Sequence, residues 1–222
     1  MVESKPEKAL VKILVIDDHP AVREALAARI AQSSDLKVCG EAEDEAEALR
    51  LIAETSPDII ITDISLKTGD GIDLIKRIKA RDTHARILVW SMHSENLYAE
   101  RALRAGAAGY ITKEQATQQI IEAIRHVLAG KVYLSPAMNE KLLRRAFDGK
   151  SLDQSPIETV TDRELEVFRL IGQGVKTQQI AERLHISIKT VETHRDRVKK
   201  KLDLKDGTEL IRHAILWVTE NS

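Results

Sequence analysis

Between Lys12 and Gly130, short β-branched runs alternate with longer stretches of helical period, and this alternation leaves few architectures open. It is the pattern of a parallel sheet with helices on both faces. Strands are expected at Ile13 to Ile16, Leu36 to Gly40, Ile59 to Thr62, Ile87 to Trp90 and Gly109 to Ile111. Helices are expected near Pro20 to Gln32, Glu45 to Thr55, Gly71 to Ala80, Glu95 to Ala105 and Gln115 to Ala129. The near-continuous apolarity of Ile13-Leu14-Val15-Ile16 and Ile59-Ile60-Ile61 marks strands covered on both faces, so these two belong in the middle of the sheet. Pro57, Gly106 and Gly130 each follow a helix, and Asp44 with Glu47 forms an Asp-x-x-Glu capping signal.

Beyond Gly130 the period weakens. A short helix is expected from Pro136 to Phe147, and Lys150 to Pro156 is polar without strong period, as a linker would be. After Pro156 no strand-like run remains. Four helical stretches follow at Asp162 to Ile171, Thr177 to Leu184, Ile188 to Leu202 and Thr208 to Val218, the first opened by a Thr161/Glu164 capping box and closed near Gly172 and Gly174. The expected division is therefore an α/β domain over 1–130, a linker over 131–156 and an all-α domain over 157–222. The 222 residues suffice for two such cores.

Composition excludes some classes and selects none. With 43% hydrophobic and 31% charged residues the chain is too apolar for disorder, and its net charge of −1 gives no bulk signal for nucleic acid. A single Cys39 excludes an internal disulfide and a cysteine-cluster metal site, and suggests a reducing compartment. No apolar run approaches the ~18 to 20 residues of a membrane span, so a cytoplasmic location and no membrane partner are expected.

Ligands of open parallel sheets bind outside the carboxyl ends of the strands, so those ends carry the information. The first strand ends in Asp17-Asp18, the third in Asp63, the fourth in Ser91, and the fifth runs out to Thr112-Lys113. Two unit charges 4 Å apart repel by ~4 kcal/mol at an effective dielectric near 20, so three clustered carboxylates need a counter-charge. A divalent cation would supply it; all-oxygen ligation suits Mg²⁺ or Mn²⁺, a usual partner of phosphate. Lys113 can reach a phosphate oxygen, and the group is built like a phosphoryl-transfer site with Asp63 placed as nucleophile.

The stretches Ile13-Leu14-Val15-Ile16-Asp17-Asp18-His19, Ile59-Ile60-Ile61-Thr62-Asp63-Ile64, Ser91-Met92-His93 and Gly109-Tyr110-Ile111-Thr112-Lys113 resemble a response-regulator receiver domain over about residues 10–130. The resemblance implies that Asp63 accepts a phosphoryl group from a sensor histidine kinase, and that Asp63, Asp18 and the Ser65 carbonyl bind Mg²⁺, with Asp17 acting through water. It further implies that Ser91 binds the phosphoryl oxygens, that Lys113 pairs with them and that Tyr110 is an aromatic switch. Two departures stand out: Leu66-Lys67 replaces the family's Met-Pro, and Glu114 rather than Pro follows Lys113.

In Val175 to Leu202 the apolar positions Ile180, Ala181 and Leu184 recur at helical spacing, His185-Ile186-Ser187 breaks the pattern, and Val191, His194, Val198 and Leu202 resume it, which makes a helix-turn-helix candidate. Its second helix carries six basic residues (Lys189, Arg195, Arg197, Lys199, Lys200, Lys201) against Glu192 and Asp196. The region from Ser151 onward has 12 basic and 12 acidic residues, so positive charge is focused on this one element, as on a phosphate-facing patch. His194 reads as a packing residue rather than a metal ligand, and Trp217 and Leu216 as core or dimer interface. Thr161-Asp162-Arg163-Glu164-Leu165-Glu166-Val167, Gln179 to Ser187 and Thr190-Val191-Glu192-Thr193-His194 resemble the LuxR-type helix-turn-helix domain. By that resemblance Glu192, Thr193 and Asp196 face the groove, and Thr190, Arg195, Lys199 and Lys201 are candidates for backbone contact.

Together the two halves resemble a NarL/FixJ-type response regulator: a five-stranded parallel, doubly wound receiver followed by a four-helix DNA-binding domain. The expected function is a phosphorylation-controlled transcription regulator, not an enzyme, working as a homodimer on double-stranded promoter DNA, with RNA polymerase a further candidate partner. Two rivals are a DNA-binding regulator answering to a ligand or protein without phosphorylation, and an aspartate-nucleophile phosphohydrolase. The second is opposed by Asp63-Ile64-Ser65, which lacks that class's Asp-x-Asp.

Overall fold

The computed structural model describes residues 10–66, 70–81, 84–114, 117–147 and 156–221. Lys67, Gln115, Ala116 and residues 150–155 of the expected linker lie outside the described residues. The chain divides into two compact units, Met1–Glu140 and Lys141–Ser222.

In the first unit, β1 (Val11–Ile16), β2 (Leu36–Ala42), β3 (Ile59–Thr62), β4 (Arg86–Ser91) and β5 (Gly109–Thr112) pair in parallel in the order β2-β1-β3-β4-β5. The intervening helices are α1 (Pro20–Ala31), α2 (Glu45–Thr55), α3 (Gly71–Ala80), α4 (Glu95–Ala105) and α5 (Thr117–Leu128). Side chains alternate across a strand, so the sheet has two apolar faces. Ile13, Val15, Ile59, Ile61, Leu88, Trp90 and Ile111 pack with Leu26 and Ile30 of α1 and with Ile120, Ala123, Ile124 and Val127 of α5. Helices α2, α3 and α4 bury their own apolar stripes (Ala48; Ile72, Leu74, Ile75 and Ile78; Tyr98, Ala99 and Ala102). The β1–β2 register shifts between Ile13 and Leu14, leaving Cys39 as the extra residue. The strand order reverses where β1 meets β3, which opens a crevice at their carboxyl ends.

Local signals account for the helix ends. Asp44 accepts the N–H of Glu47 as expected, although the Glu47 carboxylate turns to the N–H of Glu43 rather than to that of the cap residue. Asp70 caps α3 by accepting the N–H of Ile72, at the start expected from the sequence. After α5, Tyr133 pairs with Gly109 in a bridge outside the five strands, and α6 (Pro136–Phe147) begins.

In the second unit a single 3₁₀ turn (Pro156–Thr159) precedes α7 (Asp162–Gly172), α8 (Thr177–Arg183), α9 (Ile188–Lys201) and α10 (Gly207–Asn221). The Thr161/Glu164 capping box is complete in both directions. Leu165, Phe168, Ile171, Ile180, Val191, Val198, Leu210 and Ala214 form the buried interior. Helices α7 and α10 approach closely at Gly172, where a Cβ would fall 2.3 Å from the Ala214 carbonyl oxygen. Trp217 lies against Phe168 at 5.8 Å between ring centroids, a core contact, whereas Leu216 is exposed. Between α8 and α9 the chain turns through Leu184, His185 at φ 51°, Ile186 and Ser187, whose side chain caps α9 by accepting the N–H of Thr190. Among the described residues no helix is long and apolar enough to cross a membrane.

Candidate functional site

The strand ends of β1, β3, β4 and β5 converge as the parallel sheet requires. Asp17 and Asp63 are buried, Ser91 has no exposed surface, and the Lys113 side chain retains 7% exposure. Lys113 Nζ donates to Asp63 Oδ2 at 2.6 Å and to Asp17 Oδ2 at 2.5 Å, so one ammonium separates two carboxylates. Burial works against that ammonium, but the Asp63 and Asp17 carboxylates outweigh it and raise the Lys113 pKa. Ser91 Oγ donates to Asp63 Oδ1 at 2.6 Å, and the same oxygen accepts the N–H of Ile64 at 2.6 Å and of Ser65 at 3.3 Å.

Local chain geometry holds Asp63 in place. Ser65 and Asp70 form an antiparallel bridge that ties the residues after β3 to the start of α3. The N–H of Gly71 donates to the Ile64 carbonyl, and a Cβ on Gly71 would fall 2.3 Å from the Asp63 carbonyl oxygen. Only glycine lets α3 start this close to the acidic residue. Across the pocket, Lys113 N–H donates to the Ser91 carbonyl, tying the ends of β4 and β5 together.

Asp18, predicted as a ligand, is half-buried beside Asp17, and its Oδ1 pairs with His19 Nδ1 at 2.6 Å. Donor atoms of Asp17, Asp18 and His19 lie within 4.8 Å of one another. Two adjacent carboxylates with an imidazole beside them are an oxygen-rich donor set that fits a divalent cation. His19 was not among the predicted ligands; its place directly after the acidic pair was the available signal.

Tyr110 is fully buried, its hydroxyl donating to the His93 carbonyl at 2.9 Å. Burial foremost, with the neighbouring Tyr98 and Asp63, pushes that hydroxyl's pKa well above its ordinary value. His93 is also buried; its Nε2 lies 2.6 Å from Ser65 Oγ and its ring 4.7 Å from that of Tyr98. Sequence reasoning passed over His93, because a histidine in a loop carries no periodic signal.

On α9, Val191 and Val198 point into the core, and His194 is half-buried as expected, its pKa lowered by burial and by Arg163. Lys189, Glu192, Thr193, Asp196 and Lys200 are exposed at spacings of three and four and form one stripe. The remaining predicted contacts have partners within the unit. Thr190 bonds Ser187, Arg195 reaches Thr177 Oγ1 at 2.8 Å, Lys199 pairs with Asp196 at 2.8 Å and Lys201 pairs with buried Glu164 at 2.6 Å.

Comparison with known proteins agrees with both halves. Residues 13–125 match the response regulator receiver domain, and residues 158–214 match the bacterial regulatory proteins of the luxR family. The response regulator GacA of Pseudomonas aeruginosa is 31% identical over 211 residues, covering 93% of this chain and 98% of that protein. The transcriptional regulatory protein LiaR of Bacillus subtilis is 35% identical over 205 residues, covering 92% and 97%. Among solved structures, a LuxR-family two-component response regulator from Aurantimonas is 36% identical over 63% of this chain and 99% of its own, with a TM-score of 0.58. RcsB of Salmonella enterica serovar Typhimurium, solved on promoter rprA in the presence of phosphomimetic BeF3−, is 25% identical over 93% and 98%, with a TM-score of 0.60. With relatives spanning both halves end to end, the chain belongs to the NarL/FixJ-type response regulators, two-component proteins in which a receiver domain is followed by a LuxR-type DNA-binding domain.

Proposed function

We propose that Asp63 takes a phosphoryl group from the phosphohistidine of a sensor kinase, and that this event controls binding of the second domain to promoter DNA. The N–P bond of the donor breaks as an Asp63 oxygen–phosphorus bond forms, and the histidine leaves as neutral imidazole once protonated. The observation that carries this reading is the Lys113 ammonium lodged between Asp17 and Asp63, with the Ser91 hydroxyl on the other Asp63 oxygen. A cation and a hydroxyl already aimed at the nucleophile are what a developing phosphoryl charge requires. Lys113 would hold one phosphoryl oxygen and Ser91 another.

Mg²⁺, or Mn²⁺, would be held by Asp18, Asp63 and the Ser65 carbonyl, with Asp17 acting through water; the clustering of the Asp17 and Asp18 carboxylates supports this assignment. The ion supplies charge neutralisation between the carboxylate and the incoming phosphoryl group. Tyr110 would act as the switch, its inward position fixed by its bond to the His93 carbonyl. The domains are assigned to 1–130 and 157–222, joined by 131–156.

The DNA-binding element is α9, with Lys189, Glu192, Thr193, Asp196 and Lys200 on its outer stripe and Thr190, Arg195, Lys199 and Lys201 along its flanks. Its focused positive charge and the DNA-bound state of RcsB support this assignment. A homodimer on paired half-sites in the cytoplasm, acting on RNA polymerase, completes the reading.

The test is incorporation of acid-labile phosphate from acetyl phosphate and Mg²⁺, followed by gel shift. Wild type should be labelled and its DNA affinity changed, and Asp63→Ala should lose both. Labelling retained in Asp63→Ala would move the nucleophile elsewhere. Labelling without any change in DNA binding would separate the pocket from the promoter and overturn the control.

A further inference from the structure

The segment that follows α5 does not simply leave the sheet. Tyr133 takes the place of a sixth, one-residue parallel strand on the open edge of β5: its N–H donates to the Ala108 carbonyl at 3.1 Å, and its carbonyl accepts the N–H of Tyr110 at 2.9 Å. Its ring packs on His126 of α5 at 5.6 Å. Gly109 leaves the room, since a Cβ there would fall 2.9 Å from the Tyr133 carbonyl oxygen. Two residues on, the N–H of Ser135 donates to Glu95 Oε1 at 2.8 Å. Ser135 starts α6: its side chain accepts the N–H of Met138 and its carbonyl that of Asn139, and Met138 is 1% exposed.

Glu95 is the first residue of α4, so its carboxylate stands at the positive ends of two helices, its own and α6. It also stands at the end of a bonded chain that starts at the phosphoacceptor. Asp63 holds Ser91; the His93 N–H lies 3.4 Å from Ser91 Oγ; the His93 carbonyl holds the Tyr110 hydroxyl; and the Tyr110 N–H holds Tyr133. The loop Met92–Ser94 and the edge residue Tyr110 are thus both tied to the pocket at one end and to the 131–135 strap at the other.

We propose that Glu95 and the strap Lys131–Ser135 form a relay that reports the state of the Asp63 pocket to the start of α6. The relay rests on the reading of Asp63 as phosphoacceptor. In the described structure Ser91 and Tyr110 both point inward and the strap is docked, so the docked strap belongs to the inward arrangement. A phosphoryl group that holds Ser91 inward therefore tightens the strap, and loss of the phosphoryl group loosens it. The coupling is a differential stabilisation of one arrangement of a two-state element, which is what a population shift requires.

Amide hydrogen exchange on the full chain, with and without beryllofluoride and Mg²⁺, tests the relay in wild type, Glu95→Ala and Glu95→Gln. In wild type, beryllofluoride should slow exchange at Lys113, Tyr110, Tyr133, Ser135, Met138 and Asn139 at least threefold. In Glu95→Ala the slowing at Lys113 and Tyr110 should persist while that at Ser135, Met138 and Asn139 disappears. Glu95→Gln, which keeps an acceptor oxygen, should fall between the two. The relay is overturned if Ser135 to Asn139 ignore beryllofluoride in wild type while Lys113 responds, or if they respond equally in Glu95→Ala. No response at Lys113 or Tyr110 in wild type would sink the phosphoacceptor reading, and the relay with it.

Discussion

Lys201 Nζ lies 2.6 Å from Oε2 of Glu164, an oxygen that also receives the backbone N–H of Thr161. Glu164 is 2% exposed, so the last turn of α9 is fastened to the first turn of α7 through a buried carboxylate. A lysine that the sequence places on a DNA-facing helix thereby also holds its own domain together.

Lys201→Ala should therefore cost stability, about 1 to 3 kcal/mol, because it strands a buried carboxylate. Burial by itself raises the Glu164 pKa, but the bonds from Lys201 and Thr161 outweigh it and hold the carboxyl below its ordinary 4.5. A lowered native pKa means stability that is complete above the unfolded-state value and lost as pH falls through the native one. Urea melts between pH 6 and pH 3 should show wild type losing this increment on acidification, with Lys201→Ala less sensitive to acid. Equal acid sensitivity in the two proteins would remove the pair from the stability of the domain.

Lys200, exposed on the outer stripe of α9, separates DNA contact from folding. Lys200→Ala should leave the melting temperature within about 2 °C of wild type, as surface substitutions usually do. If it meets a phosphate, it should lower the slope of log affinity against log salt by about 0.9 on any sequence. An unchanged slope would take Lys200 out of the contact set.

Lys113→Ala would leave Asp17 and Asp63, both buried, facing each other without their shared cation. The loss at neutral pH should be about 2 to 4 kcal/mol, since breaking a buried pair exposes uncompensated charge. Added Mg²⁺ should recover part of it, so thermal melts should show a larger Mg²⁺-induced rise in melting temperature for Lys113→Ala than for wild type. Because the native Lys113 pKa is raised, its stabilisation is complete below the lysine's unfolded-state value and fades only as pH rises through the native one. Melts from pH 6 to pH 9 should therefore show no loss from this group in wild type.

Gly71→Ala tests the close approach of α3 to Asp63. The new methyl group would sit 2.3 Å from the Asp63 carbonyl oxygen and 2.6 Å from Ile64 Cα, so backbone must shift. Forced overpacking of this kind costs about 1 to 3 kcal/mol. Phosphate incorporation should fall along with stability, whereas Gly174→Ala, with no atom near its Cβ but a φ of 77°, should lower stability and spare incorporation. Labelling of Gly71→Ala at the wild-type rate would mean that the loop absorbs the methyl group without moving Asp63.

Much of the molecule was legible in the linear chain. The five apolar strand runs, the Thr161/Glu164 box, and Asp17, Asp63, Ser91 and Lys113 as strand-end residues all follow from local rules. A parallel sheet brings every strand's carboxyl end to one rim, so reading those ends is equivalent to reading a site. The helix-turn-helix was legible for a related reason, since its two periods, its turn and its focused charge all lie within Val175 to Leu202.

The chain by itself thus determined the architecture, the strand-end residues of the acidic rim and the excess of basic residues in α9, because periodicity, capping and strand-end chemistry are properties of neighbours in sequence. Tertiary structure alone decided that the Lys113 ammonium lies between Asp17 and Asp63, that Lys201 faces Glu164, that His93 bridges Ser65 and Tyr110, and that Tyr133 extends the sheet beyond β5. These partners lie far apart along the chain, and their meeting depends on register and crossover geometry, which no local pattern encodes.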